Sequence, residues 1–214
     1  FETLTEANKA AGAPVSTASK QLLALAPGLK RTVTAAVETA EVSKDFKKYF
    51  VSAGVTNLIG QLGTVTHTIT TGTPAFINAG DGAGLALANL YTPATSVATI
   101  TGDLSNGTWW MSQPACATTA ATANKLKLNA AKTSGTTTGT IFDTNETLCN
   151  STLGVATIPA SAYTIGINYS IGNVTKSTGA ADVTGVAIGT IARNGTNQNI
   201  NYLTTFASYN QRVF

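Results

Sequence analysis

Between Tyr163 and Ile171 the chain sets Tyr163, Ile165, Ile167, Tyr169 and Ile171 on one face, with Thr164, Gly166, Asn168 and Ser170 opposite. A strict period of two describes a strand with one packed and one solvated face, and a helix cannot satisfy it. Residues 64–70 alternate in the same way. Shorter strand-like runs recur at 95–101, 107–112, 124–129, 137–142, 154–158, 183–192 and 199–206. Turn residues separate them, as in Asn78-Ala79-Gly80-Asp81-Gly82, Ser105-Asn106-Gly107 and Arg193-Asn194-Gly195.

Eight or more short strands at this spacing predict a mainly β chain: an antiparallel β-sandwich, immunoglobulin-like or jelly-roll-like, rather than a parallel α/β sheet. The first 60 residues read differently. Ser16 or Thr17 is placed to cap a helix through Lys20–Ala26, stopped by Pro27-Gly28. Val33, Val37 and Ala40 recur at helical spacing, and Phe46 and Phe50 lie one turn apart behind Ser43. The run from Thr32 to Val42 reads equally well as a strand. The expected organisation is therefore a partly helical N-terminal extension over 1–60, engaged in subunit contacts, and a β-sandwich domain over 61–214.

Charge is scarce and unevenly placed. Only 11% of residues are charged, and 12 of the 23 charges fall in residues 1–50, whereas residues 49–124 carry only Asp81 and Asp103. A soluble monomer spaces charges along its exposed faces. This stretch is solvated almost wholly by Thr, Asn, Ser and Gly, which points to cover by neighbouring subunits or by glycans, or to hydroxyls doing the solvating. The net charge of +3 is too small and too dispersed for a nucleic-acid binder. With 43% hydrophobic residues a core is affordable, which excludes a disordered chain.

No run reaches the roughly 18 apolar residues of a membrane helix, so no transmembrane segment is expected. The chain opens at Phe1, which is read as the product of signal-peptide removal from an exported protein. Cys116 and Cys149, 33 residues apart in Thr/Asn-rich, loop-like contexts, suit an extracellular disulfide. Six Asn-x-Ser/Thr sequons, at Asn106, Asn145, Asn150, Asn168, Asn173 and Asn194, are candidate sites for covalent glycans.

Nothing selects a catalytic site. His67, the one histidine, shares a strand face with Val65 and Ile69 and reads as packed or hydrogen-bonded. No nucleophile elbow, phosphate loop or metalloprotease helix occurs, and Gly80-Asp81-Gly82-Ala83-Gly84 reads as a turn. The carboxylates Asp81, Asp103, Asp143, Glu146 and Asp182 include no pair set apart for glycoside hydrolysis. The chain is expected to be no enzyme and to need no cofactor or metal. In Trp109-Trp110 the indoles of adjacent strand residues face opposite ways. One is expected in the core, and the other outside, on a sugar or a neighbouring subunit.

The texture of residues 64–214, joined to a non-membrane N-terminal extension, resembles the donor-strand pilins: chaperone–usher fimbriae and the thread and bundling-pilus subunits of archaea. In such families a terminal segment of each subunit completes the open sandwich of its neighbour by β-strand addition. Phe1–Val15 offers few apolar residues for that role, and residues 29–42 suit it better if they form a strand. The resemblance implies a structural subunit of an extracellular filament, a homopolymer of this chain. The alternatives are a secreted carbohydrate-binding or adhesin module resting on Trp109 or Trp110, and a surface-layer or viral coat subunit.

Overall fold

A computed structural model describes residues 28–72, 82–113, 124–138, 145–170 and 182–195, together with residues 75, 77, 115 and 116. Their strands, in chain order, are β1 (Leu29–Thr34), β2 (Ala36–Ala40), β3 (Tyr49–Ser52), β4 (Val55–Asn57), β5 (Ile59–Ile69) and β6 (Val97–Thr101), followed by β7 (Thr108–Ser112), β8 (Lys127–Leu128), β9 (Ser134–Thr138), β10 (Asn145–Ser151), β11 (Ser161–Asn168) and β12 (Val183–Arg193). They form two sheets packed together, in the orders β1-β5-β10-β7 and β4-β3-β2-β12-β11-β6-β9-β8. The chain is a mainly β sandwich. Pairing is antiparallel throughout except between β2 and β12, which run parallel.

The core lies between the sheets. Leu62, Val65 and Leu148 from the smaller sheet meet Ile100, Tyr163, Ile165, Ile167, Ile188 and Ile191 from the larger. Trp109 stacks in this layer with its ring 4.9 Å from that of Tyr163, and its indole N–H donates to Asn106 O at 2.9 Å. Tyr163, Ile165, Ile167 and Tyr169 are all buried, as their alternation requires. Gly63 sits where the two sheets come close, and a side chain there would collide with the carbonyl oxygens of Ile188 from the larger sheet and Thr34 from its own.

The expected helical extension over 1–60 is not what residues 28–60 form. Thr32–Thr34 pair with Thr64–Thr66 of β5, and Ala36–Ala40 lie parallel to Gly189–Arg193 of β12. The helical spacing of Val33, Val37 and Ala40 loses to these pairings because β-branched Thr and Val suit a pleated, half-buried surface. The one helical turn there is the short Val42–Lys44 segment. The helix expected over Lys20–Ala26 lies outside the described residues. Since β1 and β2 sit in the sheets of their own chain, residues 29–42 are not a free donor strand. The run 154–158, read as a strand, is a connecting segment, whereas Asn145–Ser151, not read as one, is a central strand.

Two buried phenols set the alkaline limit. Tyr49 OH donates to Asn150 Oδ1 at 2.6 Å and Tyr163 OH to Asp103 O at 2.9 Å. Burial pushes both phenols well above their ordinary range, with smaller contributions from neighbouring acidic groups. Their folded pKa values exceed the unfolded one, near 10, so the stability they carry is intact below about pH 10 and lost as pH rises above it. Tyrosinate absorbance should thus appear together with loss of β circular dichroism. Ionisation of all six tyrosines near pH 10 with the spectrum unchanged would contradict this.

Candidate functional site

Four strand edges terminate the two sheets among the described residues, and three of them are protected. The β1 edge carries Lys30 and Arg31, and β8 carries Lys127. The β7 edge is bridged by a later segment of the same chain, Trp110 pairing with Lys125 and Leu126 N donating to Trp109 O at 2.9 Å. β4 has neither charge nor proline, and among the described residues no strand pairs with Val55–Asn57 on that side, although Thr152 bonds Leu58 just past its end. Unprotected edges of this kind template pairing with another chain.

The surroundings of that edge are apolar. β3 and β4 form a hairpin turning at Gly54, whose φ of 79° belongs to the left-handed region open to glycine. Tyr49 anchors the hairpin inward through Asn150, which leaves Phe50, Val51, Val55 and Leu58 exposed. The segment after β10 is tied alongside. Thr152 N donates to Leu58 O at 2.9 Å, Thr152 Oγ1 to Lys47 O at 3.0 Å, and Gly154 N to Thr152 Oγ1 at 2.8 Å. This brings Leu153 and Val155, 79% and 73% exposed, beside the hairpin. Among the described residues, six of the nine exposed large apolar side chains thereby gather at one sheet edge, a concentration that marks an interaction surface.

Inside the sandwich, His67 is hydrogen-bonded as its strand face suggested. Its Nε2 lies 2.8 Å from Tyr169 OH, and its Nδ1 lies 3.4 Å from Glu146 Oε2. Gln113 Nε2 donates to Glu146 Oε1 at 3.2 Å, and Arg31 donates to Tyr169 OH at 3.3 Å. Asp182 accepts the Tyr169 backbone N–H at 2.9 Å. The His67 and Glu146 side chains are both fully buried, so this carboxylate, imidazole and phenol join the two sheets rather than face a substrate. Sequence reasoning missed Glu146 as the partner of His67. The available signal was a lone carboxylate inside a seven-residue run that is otherwise uncharged.

Trp109 and Trp110 are both buried, so the expected outward indole is not found. Trp110 leaves the main core and faces the other side of its sheet, opposite Cys149. Beside it, Cys149 is joined to Cys116 by a disulfide with Cα atoms 5.6 Å apart, and the Trp110 backbone bridges to Lys125. Cys149 is itself buried in β10 rather than in a loop. Closing a 33-residue separation contributes about 3–4 kcal/mol in the chain-entropy model. Reduction should lower the denaturation midpoint accordingly, and an unchanged midpoint would show that the bridge carries no stability.

The sequons divide by environment. Asn106 and Asn150 are buried: Asn106 Nδ2 donates to Ala156 O at 3.0 Å, and Asn150 Nδ2 to Asn106 O at 3.0 Å. A glycan on either would have to displace that packing. Asn168 and Asn194 are exposed, but their amides donate to Asp182 at 2.9 Å and Glu41 at 2.6 Å. The Ser43 backbone N–H, which donates to Glu41 Oε1 at 2.9 Å, is the largest influence holding the Glu41 carboxyl below its usual range, and the Asn194 amide adds to it. Asn145 is exposed at the start of β10, and Asn173 lies outside the described residues.

Comparison with protein-family models, curated proteins and solved structures finds no match to this chain.

Proposed function

We propose that this chain is a structural subunit of an extracellular filament or pilus, a homopolymer joined by contacts that include β-strand addition. The observation that carries the reading is the β4 edge, which among the described residues has no charge and no outer strand partner. It lies among six exposed apolar side chains and contrasts with the charged or covered edges of the other described strands. Burying such a surface against a second copy removes apolar area from water and pairs the open backbone groups in one step. The charge-poor run 49–124 includes the hairpin, whose residues 49–58 carry no charge of their own.

An extracellular setting fits the disulfide, because such bridges persist in oxidising compartments. Among the described residues no helix is long and apolar enough to cross a membrane. Covalent glycans, where present, belong at exposed sequons such as Asn145. Buried indoles leave a carbohydrate-binding module without the platform on which it rested. The role is structural rather than catalytic. Negative-stain microscopy of the native material tests it directly: filaments are expected, and discrete monomers at high concentration would refute it.

A further inference from the structure

We infer that the occupant of the β4 edge is residues 199–206 of a second copy of this chain, added as an extra strand; this rests on the filament reading above. The pattern of that segment matches the surface. Ile200, Tyr202, Thr204 and Phe206 alternate with Asn201, Leu203 and Thr205, and residues 194–211 carry no charge. An alternating, uncharged strand suits an edge whose own hairpin, residues 49–58, is also uncharged. The stretch 29–42, which the sequence offers as another donor, is already used within the sheets.

The point of departure brings this segment to the right end of the molecule. Arg193 is the last residue of β12, and its guanidinium sits 4.6 Å over the Phe46 ring. Asn194 Oδ1 accepts the Val42 N–H at 2.8 Å, and Gly195 lies against the Val42 side chain. Arg193, Ala40, Tyr49 and Asn57 occupy one cross-strand row from β12 through β2 and β3 to β4. The chain thus leaves the described body at the level of the open edge, with residues 196–214 still to run.

The same row argues for a second copy over the chain's own edge. An extra strand beyond β4 lies four strand spacings from β12, about 19 Å. The four steps from Gly195 to Asn199 span at most about 14 Å when fully extended. A strand starting at residue 199 therefore falls short of the open edge of its own chain. A neighbour's edge imposes no such limit.

Mixing two separately purified variants, Val55→Cys and Thr204→Cys, under mild oxidation should yield a disulfide-linked pair containing one of each. In parallel, Val55→Lys places a charge on the exposed edge and should abolish sedimentable polymer while leaving the denaturation midpoint unchanged. No mixed pair, or a bond that closes within one chain in the double variant, overturns the assignment. So does normal polymerisation of Val55→Lys. Filaments that form without the mixed pair leave the filament reading standing and remove only this contact. A mixed pair without filaments supports the contact and removes that reading.

Discussion

Replacing Glu146 with alanine is expected to destabilise the protein by about 3–5 kcal/mol, read as a lower denaturation midpoint at unchanged slope. Glu146 and His67 are fully buried on adjacent strands of the smaller sheet, and Tyr169 comes from the larger. Removing the carboxylate leaves the His67 and Gln113 groups that face it in a dry interior. The cost is then the desolvation of those groups, which exceeds the net worth of the pair. Replacing both partners with apolar residues, as in His67→Phe with Glu146→Leu, should cost less than the sum of the single changes. Such non-additivity distinguishes a coupled buried pair from two independent core positions. Additive losses, or a Glu146→Ala cost below about 1 kcal/mol, would refute this account.

The second large effect is at Trp109. Trp109→Ala should cost about 3–5 kcal/mol, through lost transfer energy and the cavity left behind. The indole fills the layer between the sheets, stacks against Tyr163 and donates to the Asn106 carbonyl. That carbonyl also accepts from Asn150, which in turn accepts from Tyr49, so the loss extends to the base of the β3–β4 hairpin. Trp109→Phe should recover most of the packing but not the hydrogen bond, and so fall between the two. A Trp109→Ala protein as stable as the parent would mean that the layer repacks freely around the gap.

Both sites show how unevenly the fold was legible. The strands β6 and β11 follow from alternation, because each buries one face and leaves the other partly open. β7 was legible as a strand although Trp109 to Ser112 are buried on both of its faces. β10 escaped that test. Asn145-Glu146-Thr147-Leu148-Cys149-Asn150-Ser151 looks like a polar loop, yet Glu146 through Asn150 are all buried. Its polar groups are satisfied by His67, Gln113, Tyr49 and Asn106, which lie far away in sequence and come close only once the sandwich has formed. β1 and β2 escaped for the opposite reason: their local pattern fits a helix or a strand, and only the partners β5 and β12 choose between them. The burial of Trp110 is likewise not local, since its strand partners, Cys149 and Lys125, belong to later segments of the chain.

The candidate surface shows the same division. The missing charge of residues 49–124 was visible in the sequence, and it pointed to a covered region without saying where. By itself the sequence determined the β class, the inward face of each alternating strand, the pair of cysteines and the scarcity of charge. These depend on periodicity and composition, which are properties of neighbouring residues. Tertiary structure alone decided which edge of the described strands carries no charge or partner strand, which described sequons are buried and which carboxylate meets the histidine. Each of those is set by segments distant in the chain that meet only when the two sheets close on one another.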